Sequence, residues 1–244
     1  MTSDSDALAR RLSGFFALSA EESMVLQRLQ GPRIFVESGK ELVHEGQHQH
    51  SAYVLCSGWA YSYKGLRDGQ RQIIDIQMAG DLLGIRSLLL TTSDQSIVPL
   101  TDVEVRKINT ERLSEVFRSA PRVALALLWA ISRDEAMMVE HLVSLGKRDA
   151  ATGTVHMLLE LGARAELVGL GTQEGFGCPI SQNILADSLG ITPIHLNRVL
   201  RQLRESKLLV FKDGLVTFLD RKRLIEFFEM DFAYLNQDIA VKRR

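Results

Sequence analysis

The sequence predicts an α+β fold in three parts: an N-terminal domain of short β-strands, one long helix, and a C-terminal helical domain that closes on a β-hairpin. Three observations carry this reading. Turn residues punctuate short apolar runs between residues 33 and 108, as in Glu37-Ser38-Gly39-Lys40, Glu45-Gly46, Asp68-Gly69 and Ala79-Gly80-Asp81, the pattern of an all-β sandwich or barrel. From Pro121 nothing breaks a helix until Gly146. From Ser181 two short amphipathic patterns precede two β-branched runs placed either side of Lys212-Asp213-Gly214.

The elements follow in order. Ser19-Ala20-Glu21-Glu22 is a capping box that opens a helix running to Leu29, where Gly31-Pro32 stops it. Within the β-domain, Tyr61-Ser62-Tyr63 and Arg71 to Ile76 alternate as strands, and Asp68-Gly69 between them predicts a tight hairpin.

Pro121 suits a first helical turn because its missing N–H would be unpaired there in any case. The helix from Pro121 to Gly146 has a length of roughly 39 Å at 1.5 Å per residue. Leu127, Ile131, Asp134, Met138, His141 and Leu145 alternate four- and three-residue steps, which predicts a seam against a second helix of a homodimer. Leu128, Trp129 and Leu142 on the neighbouring faces predict packing on the helix's own β-domain. The expected domains are therefore 1–120, a dimerisation helix over 121–146, and a C-terminal domain over 147–244, which the next residues read as DNA-binding.

In the third part, Asp149 to Leu161 reads as a helix ending near Gly162, and the glycine-rich stretch Thr172 to Gly177 as a flexible turn. Ser181 caps a short helix with buried positions Leu185 and Leu189, Ala186 permits close helix approach, and Gly190 turns the chain. Thr192-Pro193 starts a second helix whose back is Leu196, Val199, Leu200 and Leu203 and whose front is Ile194, Asn197, Arg198 and Arg201. Arg can bond guanine O6 and N7, and Asn adenine N6 and N7, so this front suits a DNA major groove. Leu208 to Phe211 and Leu215 to Leu219 form the wing of a winged helix-turn-helix, and Asp220 caps a last helix running through Tyr234.

Composition excludes little by itself. The chain has 244 residues, and 29 basic against 30 acidic side chains leave a net charge of −1. Divided, residues 1–146 carry 15 basic and 18 acidic groups, while Ser181 to Arg223 carry 8 and 4. A local excess of that sign is the footprint of a nucleic-acid surface. The longest uncharged apolar run, Val123 to Ile131, falls far short of the roughly 20 residues a membrane-spanning helix needs. With the polar start Met1-Thr2-Ser3-Asp4, this predicts a cytoplasmic protein.

Two cysteines, Cys56 and Cys178, cannot supply a four-cysteine iron–sulfur cluster within one chain. Cys178 lies three residues before the cap at Ser181, where a helix dipole could lower a thiol pKa; it reads first as an inert small residue in a turn, with a redox role as the alternative. Cys56 reads as strand packing. His44, His48 and His50 include a His-x-His spacing, which motivates an alternative reading as a metal-binding, cupin-like sensor. Their place in a turn and following loop without a supporting carboxylate argues for no metal. His141 reads as an interface histidine, with haem ligation or a pH-sensitive dimer contact as alternatives.

Gly39, Glu45-Gly46, Tyr53-Val54-Leu55, Gly58, Gly80-Asp81-Leu82-Leu83-Gly84, the long helix and the winged motif stand in the order of the Crp/Fnr superfamily, which the chain resembles over about residues 15–234. The resemblance implies a cyclic-nucleotide-binding-like β-roll (a double-stranded β-helix), a dimerising helix and a DNA-binding domain. It implies a non-enzymatic, homodimeric transcription regulator on palindromic double-stranded DNA, with RNA polymerase as a further partner. It places base reading at Pro193, Ile194, Asn197 and Arg198, and phosphate contacts at Ser181, Gln182, Thr192, His195 and Arg201. Members that bind cyclic AMP use a Glu for the ribose and an Arg-Ser pair for the phosphate. Counting back without gaps from Val105 puts Ile85 at the Glu and Ser93-Asp94 at the pair. An anionic ligand facing Asp94 is disfavoured, so the expected effector is something other than cyclic AMP; Arg86 could substitute only if the loop refolds. A nucleotide-responsive module acting on a protein partner is the other reading that the β-domain allows.

Overall fold

The computed structural model describes residues 7–235, so the polar start Met1–Asp4 and residues 236–244 of the expected DNA-binding domain lie outside the described residues. The chain divides into two compact units, residues 1–132 and 133–244.

The first unit begins with α1 (Ala7–Ser13) and α2 (Ala20–Leu29). The capping box at Ser19 forms as its residues require: Ser19 Oγ accepts from the Glu22 amide at 3.1 Å and Glu22 Oε2 accepts from the Ser19 amide at 2.8 Å. Seven strands follow, β1 (Gln30–Val36), β2 (Tyr53–Ser57), β3 (Trp59–Gly65), β4 (Arg71–Met78), β5 (Leu82–Leu83), β6 (Ser96–Pro99) and β7 (Val103–Ile108). They form a four-stranded sheet in the order β1-β7-β2-β5 and a three-stranded sheet in the order β4-β3-β6. Leu55, Ala60, Leu83, Ile97, Val103 and Val105, drawn from both sheets, make the core between them together with Val43 from the β1–β2 connection. Gly31-Pro32 does end α2, but the strand it was expected to precede already starts at Gln30, with a bulge between Gln30 and Arg33 that absorbs the proline. The β3–β4 hairpin is also looser than a two-residue turn: its loop spans residues 66–70, and Gly69 at φ +83° closes it.

Arg11 pins α1 to the roll through a buried ion pair with Asp81 at 2.7 Å, and the second Asp81 oxygen accepts from the Met78 amide at 2.8 Å. Removing either partner would strand a buried charge. A short α3 (Leu113–Ser119) leads into α4 (Pro121–Gly146), and the boundary between the two units falls within α4, after Ser132.

The second unit contains the end of α4, then α5 (Ala150–Leu167), β8 (Gly171–Thr172), β9 (Gly175–Gly177), α6 (Gln182–Leu189), α7 (Pro193–Glu205), β10 (Leu209–Lys212), β11 (Leu215–Phe218) and α8 (Arg221–Phe227). Three expectations are corrected. Gly162 does not end α5, which continues to Leu167; a Cβ at Gly162 would meet the Phe218 ring at 2.9 Å, so this glycine admits an aromatic ring from the wing. The glycine-rich stretch 172–177 is no loose turn, because β8 and β9 join the wing in one sheet ordered β10-β11-β9-β8. The last helix ends at Phe227, where Glu229 adopts φ +49° and the Met230 amide reaches back to the Ile225 carbonyl at 2.9 Å.

Candidate nucleic-acid interface

The helix-turn-helix is set by its caps. Ser181 Oγ accepts from the Ile184 amide at 3.2 Å to start α6, and Thr192 Oγ1 accepts from the His195 amide at 3.2 Å to start α7, with Pro193 in the first turn. Between them Gly190 takes the left-handed conformation at φ +63° and its amide closes α6. Leu185, Leu189, Leu196, Val199, Leu200 and Leu203 are all buried, so both helices are fixed by their backs.

That packing decides what α7 presents. Ile194 is 85% exposed, and Pro193, Asn197, Arg198 and Arg201 are also exposed. An exposed isoleucine beside an arginine that makes no ion pair among the described residues is a poor solvent surface and a good complement to a thymine methyl beside a guanine edge. Asn197 Nδ2 donates to the Pro193 carbonyl at 3.2 Å, a bond it must release to reach a base. Arg201 lies 3.9 Å from Glu205 one turn on; both are well exposed, and such a pair contributes about 0–1 kcal/mol, so it is easily exchanged for a phosphate.

The predicted phosphate group clusters at the helix starts. Ser181 and Thr192 are exposed, Gln182 and His195 half-buried. Each capping hydroxyl spends a lone pair on an amide and keeps its O–H to donate outward. Gln182, Thr192, Ile194, Asn197, Arg198 and Arg201 line one groove of about 640 Å³, which brings most of the predicted reading and phosphate residues together. The groove also takes in Arg204 from α7 and Val210 and Phe211 from β10, which sequence reasoning did not single out. Arg204 stands three residues after Arg201, the spacing that keeps a helical face continuous, and this was the available signal. The wing residues had none, because which side of a two-stranded ribbon faces α7 depends on tertiary packing.

The redox alternative at Cys178 is corrected. The residue is fully buried, and burial pushes its thiol up to about 12, the opposite of the lowering expected from a helix start. A protonated, enclosed thiol is not poised for oxidation. Cys56 is half-buried on β2.

On α4, Leu127, Ile131, Asp134 and Met138 are half-buried and Leu145 is exposed. His141 does not point outward: its Nε2 donates to Glu160 of the same chain at 3.0 Å. Leu128 and Leu142, expected to pack inward, are 48% and 70% exposed, whereas Val123, Ala126, Ala130 and Met137 form the buried stripe.

In the β-roll, His44 Nδ1 bonds Glu41 at 2.9 Å, His48 bonds Thr92 at 3.0 Å, and His50 is buried. His44 and His48 thus serve separate partners, the buried His50 Nδ1 has no hydrogen-bond partner among the described residues, and among those residues no three metal-binding side chains converge. Asp94 is ion-paired with Arg86, and Ser93 is buried with its hydroxyl donated to the Gln95 carbonyl at 2.7 Å.

The comparisons agree with this layout. Residues 33–120 match the model of the cyclic nucleotide-binding domain, and residues 154–227 that of the Crp-like helix-turn-helix domain. A nucleotide-domain β-roll joined by a long helix to a winged helix-turn-helix defines a DNA-binding transcription regulator. The chain is 30% identical over 184 residues, 75% of each chain, to the transcriptional activatory protein AadR of Rhodopseudomonas palustris. It is 28% identical to the nitrogen fixation regulation protein FixK of Bradyrhizobium diazoefficiens over 90% of this chain and 91% of that one. The solved structure of FixK2 from Bradyrhizobium japonicum superposes with a TM-score of 0.71 at 24% identity, covering 80% of this chain and 96% of that one. The protein belongs to the Crp/Fnr family of transcription regulators. Among the described residues no helix is long and apolar enough to cross a membrane.

Proposed function

We propose that the protein is a cytoplasmic homodimer that binds a palindromic DNA site and regulates transcription by RNA polymerase in response to an effector other than cyclic AMP. The observation that carries this reading is the front of α7: an exposed row of Pro193, Ile194, Asn197 and Arg198 over a fully packed back. These four read bases, while Ser181, Gln182, Thr192, His195 and Arg201 hold phosphates. Two such helices in a dimer meet half-sites about one DNA turn, 34–36 Å, apart.

The dimer seam in this proposal follows exposure. Leu128, Ile131, Met138, Leu142 and Leu145 keep the three- and four-residue spacing and lie on the side of α4 away from its buried stripe, with Glu135 at the remaining position. This retains Ile131, Met138 and Leu145 from the sequence pattern and exchanges Leu127, Asp134 and His141 for neighbours one position along. An exposed leucine row on a charged protein's longest helix is an uncovered apolar strip until a second copy meets it.

Selection of bound fragments from a random DNA pool, followed by sedimentation of the free protein, tests both parts. The expected result is an inverted-repeat site and a dimer that Leu142→Lys converts to monomer. Recovery of no preferred sequence at low salt would remove the reading.

A further inference from the structure

Away from the DNA-reading face, the second unit buries a set of ionisable groups where α4 turns into α5. Glu160, in the middle of α5, has a side chain only 1% exposed, and three parts of the chain meet on it. From α4, His141 donates to Oε1 at 3.0 Å; from α5 itself, Arg164 lies at 3.6 Å; from the segment after α8, Tyr234 donates its hydroxyl to Oε2 at 2.7 Å. The single phenolic proton is thereby committed, so the Tyr234 oxygen accepts from His156 Nε2 at 3.2 Å. Beside it, Arg148 joins α4 again, reaching Glu140 at 2.5 Å and Ser144 at 2.8 Å, and Glu140 lies 3.7 Å from His156.

The described part of the segment after α8, residues 228–235, packs on this cluster. The Phe232 and Tyr234 rings stack on His156 with centroids 5.4 and 6.0 Å away, Asp231 caps the final turn, and Leu235 is buried. The connection from α4 to α5 is short: Gly146 ends α4, the Lys147 and Arg148 amides return to the Val143 carbonyl at 2.9 and 3.3 Å, and Asp149 starts the next helix three residues after Gly146.

We propose that residues 228–235 are a strap that latches the end of α4 onto α5 through Tyr234 and Glu160, and that the latch holds the reading helix in its DNA-binding pose. Glu160 is the shared bolt: it is bonded once from the helix that carries the dimer seam, once from the strap, and it sits on the helix that supports the helix-turn-helix. Opening the strap leaves a buried carboxylate short of a donor, and the end of α4 is then tied to α5 through His141 alone at Glu160. The functional half of this inference rests on the DNA-binding reading above; the mechanical half does not.

Tyr234→Phe tests it, because it keeps the ring stacked on His156 and removes only the hydroxyl. In the full chain, losing one bond to a buried charge is expected to shift the latch equilibrium about tenfold, read as faster amide hydrogen exchange over residues 140–149. For a latch closed in roughly nine molecules of ten, that shift accelerates exchange about fivefold and lowers affinity for the selected DNA about twofold as the competent fraction drops. Phe232→Leu, which spares the hydroxyl and loosens the stack, should act in the same direction and carries the test if Tyr234→Phe does not fold. Unchanged exchange over 140–149 overturns the latch, and faster exchange with unchanged DNA affinity overturns its role in binding. Failure of the wild-type protein to bind any DNA would count against the proposed function alone, since the exchange measurement needs no DNA.

Discussion

Gly175 lies so close to Val216 that a Cβ built on it would stand 2.1 Å from the Val216 carbonyl oxygen and 3.1 Å from the Thr217 Cα. Both obstacles are backbone in the paired strand, so neither can swing aside. Gly175→Ala should therefore part β9 from β11 and destabilise the second unit by about 3 kcal/mol, the upper range for a single substitution. Gly177, two residues on in the same strand, has nothing within 4 Å of its Cβ position. Gly177→Ala should change stability by less than about 0.5 kcal/mol. Urea unfolding of both variants checks the pair, and equal losses would contradict the close approach.

This glycine also shows what a sequence does and does not reveal. Caps were legible because they depend on residues three apart: Ser19 with Glu22, Ser181 with Ile184 and Thr192 with His195 all form in the structure. The α7 front was legible because a helical period sorts Leu196 and Val199 from Asn197 and Arg198 on its own. Gly162 and Gly175 were misread as breakers because a glycine that admits a distant ring or strand looks the same in sequence as one that turns the chain. His141 was misplaced for a related reason: its spacing fits a seam, but Glu160, nineteen residues away on the next helix, claims it.

Arg198 and Arg201 should separate cleanly in DNA binding. Arg198 faces outward in the middle of the reading row, so Arg198→Ala is expected to cost roughly 1–3 kcal/mol and to relax the preference at one base pair per half-site. Arg201, expected on a phosphate, should weaken all sequences alike and flatten the salt dependence by about one ion per half-site. Binding measured on the selected site and on single-base variants at several salt concentrations distinguishes the two. An unchanged preferred site for Arg198→Ala would mean that the register of α7 in the groove is different.

The nucleotide-type roll should not take cyclic AMP. Asp94 stands where the phosphate-binding pair is expected, and it already occupies Arg86. An incoming phosphate must both displace that exposed carboxylate from its only described charged partner and sit beside it, which places two anions together. Calorimetric titration is expected to show no saturable heat. Saturation at micromolar nucleotide would demonstrate that the loop rearranges to hand Arg86 to the ligand.

Acid should destabilise the second unit below pH 6.5. His156 is buried beside Tyr234, and burial lowers its pKa from 6.5 to about 4, outweighing the attraction of Glu160 and Glu140. In the unfolded chain this histidine takes up a proton as pH falls through about 6.5, while in the folded chain it resists until about 4. Its stabilising contribution is thus complete above pH 6.5 and is lost between there and 4, amounting to about 3 kcal/mol at the low end. Glu160 acts in the same direction further down, because His141 holds its carboxyl below the usual range against the opposing effect of burial, and stability is lost as it protonates below 4.5. Thermal melts from pH 8 to pH 4 should therefore show a falling midpoint for the second unit below pH 6.5. His156→Gln, which cannot titrate, should start less stable and fall less steeply; a slope identical to the wild type would assign the acid limb to other groups.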